Sequence, residues 1–114
     1  MLPRSVRLST EQFNSVMEKG RVCHSPLFLL RVRIIAPIEM QTRIATVVPV
    51  KVAKKAVLRN RLRRVMYEAI HPMYVNVKAG QHVIVFAKAA ALKATFAEIE
   101  KEMKEIFVKA GLLR

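Results

Sequence analysis

The sequence contains no aspartate, so all eight of its acidic residues are glutamates, set against 21 lysines and arginines. Between Glu39 and Glu98 the only acid is Glu68. Protein-borne hydrolysis of phosphodiesters usually clusters carboxylates around one or two metal ions, and this inventory is poor for such a site. A single cysteine, Cys23, excludes an internal disulfide, argues against a cysteine-based zinc site, and fits a reducing compartment such as the cytoplasm. With three glycines there is no Walker loop and no Gly-x-Gly-x-x-Gly turn, and no Gly-x-Ser-x-Gly elbow is present. Long apolar runs are missing too. The most apolar stretch, Leu27 to Ile38, carries Arg31 and Arg33 and falls short of the roughly 20 residues a membrane span needs. It reads as a buried strand, and no membrane partner is expected. The residues from Met1 to Arg7 have no apolar core behind them and do not read as a secretory signal.

What is present is enough apolar residue for a core, 53% of the chain, and a formal charge of +13 on 114 residues. The length fits one domain, residues 1–114. Ser9-Thr10-Glu11-Gln12 has the form of a capping box, followed by Phe13, Val16 and Met17 at helical spacing and closed by Gly20. Leu27 to Ile35 alternates, with Leu29, Arg31 and Arg33 on one side, and Pro37 ends it. Arg43 to Val48 is a β-branched strand, Lys54 to Ile70 a long helix stopped by His71-Pro72, and His82 to Ala87 a further strand after a turn at Gly80. The last helix runs from near Lys93 to Ala110, with Leu92, Phe96, Ile99, Met103, Ile106, Phe107 and Ala110 as its apolar stripe. Glu100 with Lys104 and Glu105 with Lys109 are spaced for ion pairs. The class is α+β or α/β with one mostly open sheet.

The charge is not spread evenly. Residues 93–114 hold 5 cations and 4 glutamates, whereas residues 1–92 hold 16 cations and 4 glutamates. Within Lys51 to Arg64 there are seven cations and no acid: Lys51, Lys54, Lys55, Arg59, Arg61, Arg63 and Arg64. On a helix, Leu58, Leu62, Val65 and Ala69 form one stripe that anchors it on the sheet, and Arg59, Asn60, Arg61, Arg63 and Arg64 cover the remaining arc. Cations packed side by side repel one another and weaken an isolated helix. A phosphate backbone offsets that repulsion through direct contacts and counterion release, and forked arginines suit it. A merely solvated basic face is the bland alternative.

At this helix the sequence resembles a known family. Lys54-Lys55-Ala56-Val57-Leu58-Arg59-Asn60-Arg61-Leu62-Arg63-Arg64 is similar to the signature of the bacterial ribonuclease P protein subunit. Arg7-Leu8 with Phe13, Val16 and Gly20 resembles the family's first helix, Arg43-Ile44-Ala45 the strand entering the signature, and Val83 to Lys88 the strand after it. The similarity spans about Arg7 to Leu112. There are departures. Val50 stands where the first of a lysine pair is common, Tyr67 where a basic residue follows the signature, His82 where an acid often opens the fourth strand, and Met17 where an aromatic follows Phe13.

The resemblance implies a small α/β sandwich of order αβββαβα, like the second domain of a small-subunit ribosomal protein. The basic helix would lie in a left-handed βαβ crossover, against the usual preference. It implies a non-catalytic protein subunit of an endoribonuclease. The protein would bind the catalytic RNA of ribonuclease P through Lys51, Lys54, Lys55, Arg59, Asn60, Arg61, Arg63 and Arg64. It would contact the single-stranded 5′ leader of precursor tRNA along a cleft between the first helix and the sheet. Phe13, Met17, Arg31, Arg33, Arg43 and Lys88 are the candidates there. The RNA would carry out the hydrolysis with Mg²⁺. No catalytic residue, bound cofactor or obligate protein partner is expected of the chain, and metal contacts by the protein are left open. Phe13 is equally readable as a core residue, and Arg31 and Arg33 as exposed arginines. His24, His71 and His82 read as surface or rim residues. The alternative functions are a structural RNA-binding protein of ribosomal type with no part in cleavage, and an autonomous nuclease using histidine as acid and base.

Overall fold

A computed structural model describes residues 7–35 and 41–114. Ser9 opens the first helix, α1 (Thr10–Lys19), as the capping pattern predicts. Its hydroxyl accepts from the Gln12 backbone N–H at 3.2 Å, and the Gln12 side chain accepts from the Ser9 backbone N–H at 2.9 Å. Gly20 ends α1 for want of space. Its backbone is extended, and a Cβ placed on it would lie 2.5 Å from the Val16 carbonyl oxygen. The chain then turns directly into a short strand, β1 (Arg21–His24), which the sequence pattern does not announce. Strands β2 (Phe28–Ile34) and β3 (Arg43–Val47) follow. Pro37, expected to close β2, lies outside the described residues. Helix α2 (Ala56–Ile70), β4 (Gln81–Ala87) and α3 (Phe96–Lys109) complete the order αβββαβα.

The sheet order is β1-β2-β4-β3, with β1–β2 and β2–β4 paired antiparallel and β4–β3 parallel. Placing β3 beside β4 in parallel requires a crossover, and α2 supplies it. Alternation divides the sheet into two unlike faces. Phe28, Leu30 and Val32 of β2, Ile44 of β3, and Val83 and Val85 of β4 point into the core shared with α2 and α3. Leu29, Arg31, Arg33, Arg43, His82, Ile84 and Phe86 occupy the opposite face, where α1 packs.

Several expectations need correction. Helix α2 starts at Ala56, two residues later than predicted, because Lys54 and Lys55 belong to the bend that leads into it. Its buried edge is Leu62, Met66, Ala69 and Ile70, while Leu58 and Val65 are only half-buried. The apolar stripe is therefore broader than the spacing of four, three and four suggests. His71-Pro72 does not stop the helical path but tightens it into a 3₁₀ turn over His71–Asn76, which proline tolerates in its first turn. Helix α3 begins at Phe96 behind a second capping box, Thr95 with Glu98, so of the expected stripe Phe96 sits at its exposed start and Leu92 in the 3₁₀ turn (Ala89–Lys93) before it. The ion pair observed on α3 is Lys101 with Glu105 at 4.0 Å, instead of the two glutamate-first pairs expected.

Candidate nucleic-acid interface

Two cationic surfaces flank the segment between β3 and α2. The first is the outer face of α2. With one side held to the core by Met66 and Ile70, the helix must turn Asn60, Arg61, Arg63 and Arg64 outward, and all four are exposed. They line a groove of about 410 Å³ together with Val57 and Tyr67, and among the described residues no carboxylate borders it. Arg61 and Arg64 make no hydrogen bond among the described residues, while Arg63 donates to the Asn60 side-chain oxygen at 2.6 Å. Lys55 is the N-cap residue but provides no side-chain cap, and the first turn holds no acid. Cations at the positive end of a helix dipole are unfavourable without an anion nearby.

Arg59 is placed differently from its neighbours. It is half-buried, and its guanidinium donates to the Ala53 carbonyl at 2.9 Å and the Lys54 carbonyl at 2.7 Å. The arc expected to face solvent thus includes one arginine that ties the bend before the helix to the helix itself. Lys54 and Lys55 are exposed on that bend.

The second surface is a cleft of about 520 Å³ on the α1 face of the sheet. Leu29 and Phe86, cross-strand partners on β2 and β4, are both half-buried and form its floor. Met17 of α1 and Pro49 and Val52 of the β3–α2 segment wall it. Arg31, Lys51 and Lys88 stand among the lining, again with no carboxylate. Three of the six leader candidates, Met17, Arg31 and Lys88, therefore meet in one cleft. Lys51, expected on the α2 surface, joins them, because the turn over residues 50–52 carries it toward the sheet. Phe13 is half-buried on α1 and does not line the cleft. Phe86 is the aromatic there, and its alternation with Ile84 and His82 was the signal that could have located it.

The cations of this face also bond within the fold, Arg31 and Arg33 to α1, Arg43 to the residues before it and Lys88 to the turn between β1 and β2. Arg31 donates to the Met17 carbonyl at 3.1 Å, Arg33 to the Ser15 hydroxyl, Arg43 to the Arg7 carbonyl at 3.0 Å, and Lys88 to the Ser25 carbonyl at 2.7 Å. An arginine has five N–H donors, so each keeps capacity for a ligand. Arg33 and Arg43 lie outside the cleft, in register with His82 on either side of β4. His82 is buried, not at the rim as predicted, and neither ring nitrogen has a hydrogen-bond partner among the described residues. Burial, then the Arg43 and Arg33 charges, push its pKa below the ordinary value of 6.5 and keep it neutral. His24 and His71 are exposed. Among the described residues no group of three or more His, Cys, Asp or Glu could hold a metal ion, and no helix is long and apolar enough to cross a membrane.

Comparison with known proteins agrees with this architecture. The family model for Ribonuclease P matches residues 2–111. A ribonuclease P protein component from Xanthomonas campestris is 35% identical over 112 residues, 97% of this chain and 73% of that one. One from Symbiobacterium thermophilum is 40% identical over 60 residues, 53% of this chain and 52% of that one. Among solved structures, the Staphylococcus aureus RNase P protein superposes with a TM-score of 0.84 at 21% identity, covering 96% of this chain and 98% of that one. A mutant of it described as defective in mRNA degradation activity gives 0.86 at 22% identity, covering 96% of this chain and 92% of that one. With the family model spanning nearly every residue and a relative matched along almost the whole chain, this chain belongs to the ribonuclease P protein family.

Proposed function

We propose that this chain is the protein partner of a catalytic ribonuclease P RNA, which it binds through the outer face of α2, and that its cleft receives the 5′ leader of precursor tRNA. One observation carries the reading. The exposed arginines of α2 and the cations of the cleft stand on either side of one short segment, and no carboxylate among the described residues lines either surface. Lys54, Lys55, Asn60, Arg61, Arg63 and Arg64 would grip the catalytic RNA, and Arg59 would hold the bend that presents them. In the cleft, Phe86 would stack on a base while Arg31, Lys51 and Lys88 meet phosphates, the chemistry by which single strands are held. Phe13, Arg33 and Arg43 would then act mainly by holding α1 and the sheet together beside the cleft. Hydrolysis would belong to the RNA and its Mg²⁺.

Reconstitution tests this. The protein, a bacterial ribonuclease P RNA and precursor tRNA are combined at low Mg²⁺, with and without a leader on the substrate. The protein should raise affinity for the substrate that carries the leader, and Phe86→Ala should reduce that advantage. No leader-dependent gain from the unaltered protein would sink the proposal.

A second reading, cleavage of RNA by the protein itself, is motivated by the mutant of the S. aureus relative described as defective in mRNA degradation activity. It calls for an acid and a base near a phosphate. His82 lies between Arg33 and Arg43 but is buried beneath α1. Cleavage by RNA-free protein, abolished in His82→Ala, would favour it.

A further inference from the structure

A third opening, of about 300 Å³, lies between α2 and the start of α3. Leu58 and Val65 form its α2 side, Leu92 and Phe96 face them, and the buried Ile99 lies at its base. Arg61 borders this opening and also the cationic groove on the outer face of α2, so the two are continuous. Phe96 is 45% exposed and Leu92 37%. The helix start does not need an aromatic there. Thr95 and Glu98 already cap α3, and Ala94 and Ile99 occupy the positions of a hydrophobic staple. A flat, half-exposed ring beside an exposed arginine is an arrangement by which proteins hold a splayed-out base.

We propose that this groove takes one unpaired nucleobase of the RNA held by α2, with Phe96 as the stacking platform and Arg61 on the adjoining phosphate; the inference rests on reading α2 as an RNA-binding face. Charge selects the occupant. No carboxylate among the described residues lines the groove, and a second copy of the chain would bring a formal charge of +13 against +13. An RNA strand already neutralised along α2 meets no such repulsion.

The chain contains no tryptophan, so Phe96→Trp introduces a single indole. Titrated with a bacterial ribonuclease P RNA, its emission should be quenched in step with binding. A tryptophan at the exposed Val108, near the other end of α3, should be quenched far less. Phe96→Ala should bind the RNA about fivefold to a hundredfold more weakly. Its salt dependence should match that of the unaltered protein, since no phosphate contact is lost. Unchanged affinity in Phe96→Ala, or an unquenched Phe96→Trp on bound RNA, overturns the proposal and leaves the α2 reading standing. A protein dimer that Phe96→Ala dissociates would give the groove to a second copy and overturn it as well. If the unaltered protein shows no salt-dependent binding to that RNA, the α2 reading falls and this one falls with it.

Discussion

The two arginines flanking Asn60 separate folding from binding. Arg59 donates to the Ala53 and Lys54 carbonyls, whereas Arg61 is exposed and makes no hydrogen bond among the described residues. Hydrogen bonds to a charged group contribute about 1.5–3 kcal/mol when sheltered from water. The Lys54 side of this pair is open to solvent, so Arg59→Ala should cost about 1–2 kcal/mol in total. A chain of this length unfolds with an entropy of about 240 cal/mol/K near 60 °C, so the melting temperature should fall by about 4–8 °C. Arg61→Ala should leave it within about 2 °C, because an exposed residue without partners changes stability by no more than about 0.5 kcal/mol. Arg61→Ala should instead lower the slope of log affinity against log salt by about 0.7–0.9, one phosphate contact's worth. Calorimetry of both variants beside RNA titrations between about 50 and 200 mM salt makes the comparison. Equal losses of melting temperature would refute the division, as would an Arg59→Ala variant that loses salt slope at an unchanged melting temperature.

Met66 has no exposed surface, so Met66→Ala should cost about 2–5 kcal/mol, read from urea midpoints at constant m. Gly20→Ala should lose about 1–3 kcal/mol on the same assay. Its Cβ would meet the Val16 carbonyl at 2.5 Å and the Val16 Cγ1 at 3.1 Å, while its backbone angles suit any residue. His82 titrates below 6.5 in the folded chain, so on acidification the unfolded chain takes up a proton that the folded chain refuses. This contribution to stability should be complete above the ordinary histidine range and decline as pH falls through about 6.5 toward the lower folded value. His82→Gln should flatten that decline in urea midpoints taken from about pH 7.5 to 5. A wild-type decline that persists unaltered in the variant would assign it to other groups.

The elements with strong local signals were legible. Ser9 with Gln12 marked the start of α1, alternation marked β2, the run after the Gly80 turn marked β4, and the apolar stripe within a cation-rich stretch marked α2. Strand β1 was not, since Arg21-Val22-Cys23-His24 has no apolar alternation and pairs only through its neighbour β2. The same limit applies to the candidate site. Met17, Arg31 and Lys88 were expected near one another, but Lys51, Pro49 and Phe86 join them only because β3 lies beside β4 and not beside β2. Burial of His82 is likewise a product of topology. Two flanking strands and α1 cover a position that in sequence stands next to a turn. The inward role of Arg59 was invisible because its partners are backbone carbonyls five and six residues away, and periodicity does not report them.

The bend between β3 and α2 belongs to both surfaces at once. Pro49, Lys51 and Val52 look into the cleft, and the next two residues, Ala53 and Lys54, are clasped by Arg59 from the helix. On the proposed function, a leader in the cleft and a catalytic RNA on α2 would press on the same half-dozen residues. Whatever either does to that hinge of backbone, the other would inherit.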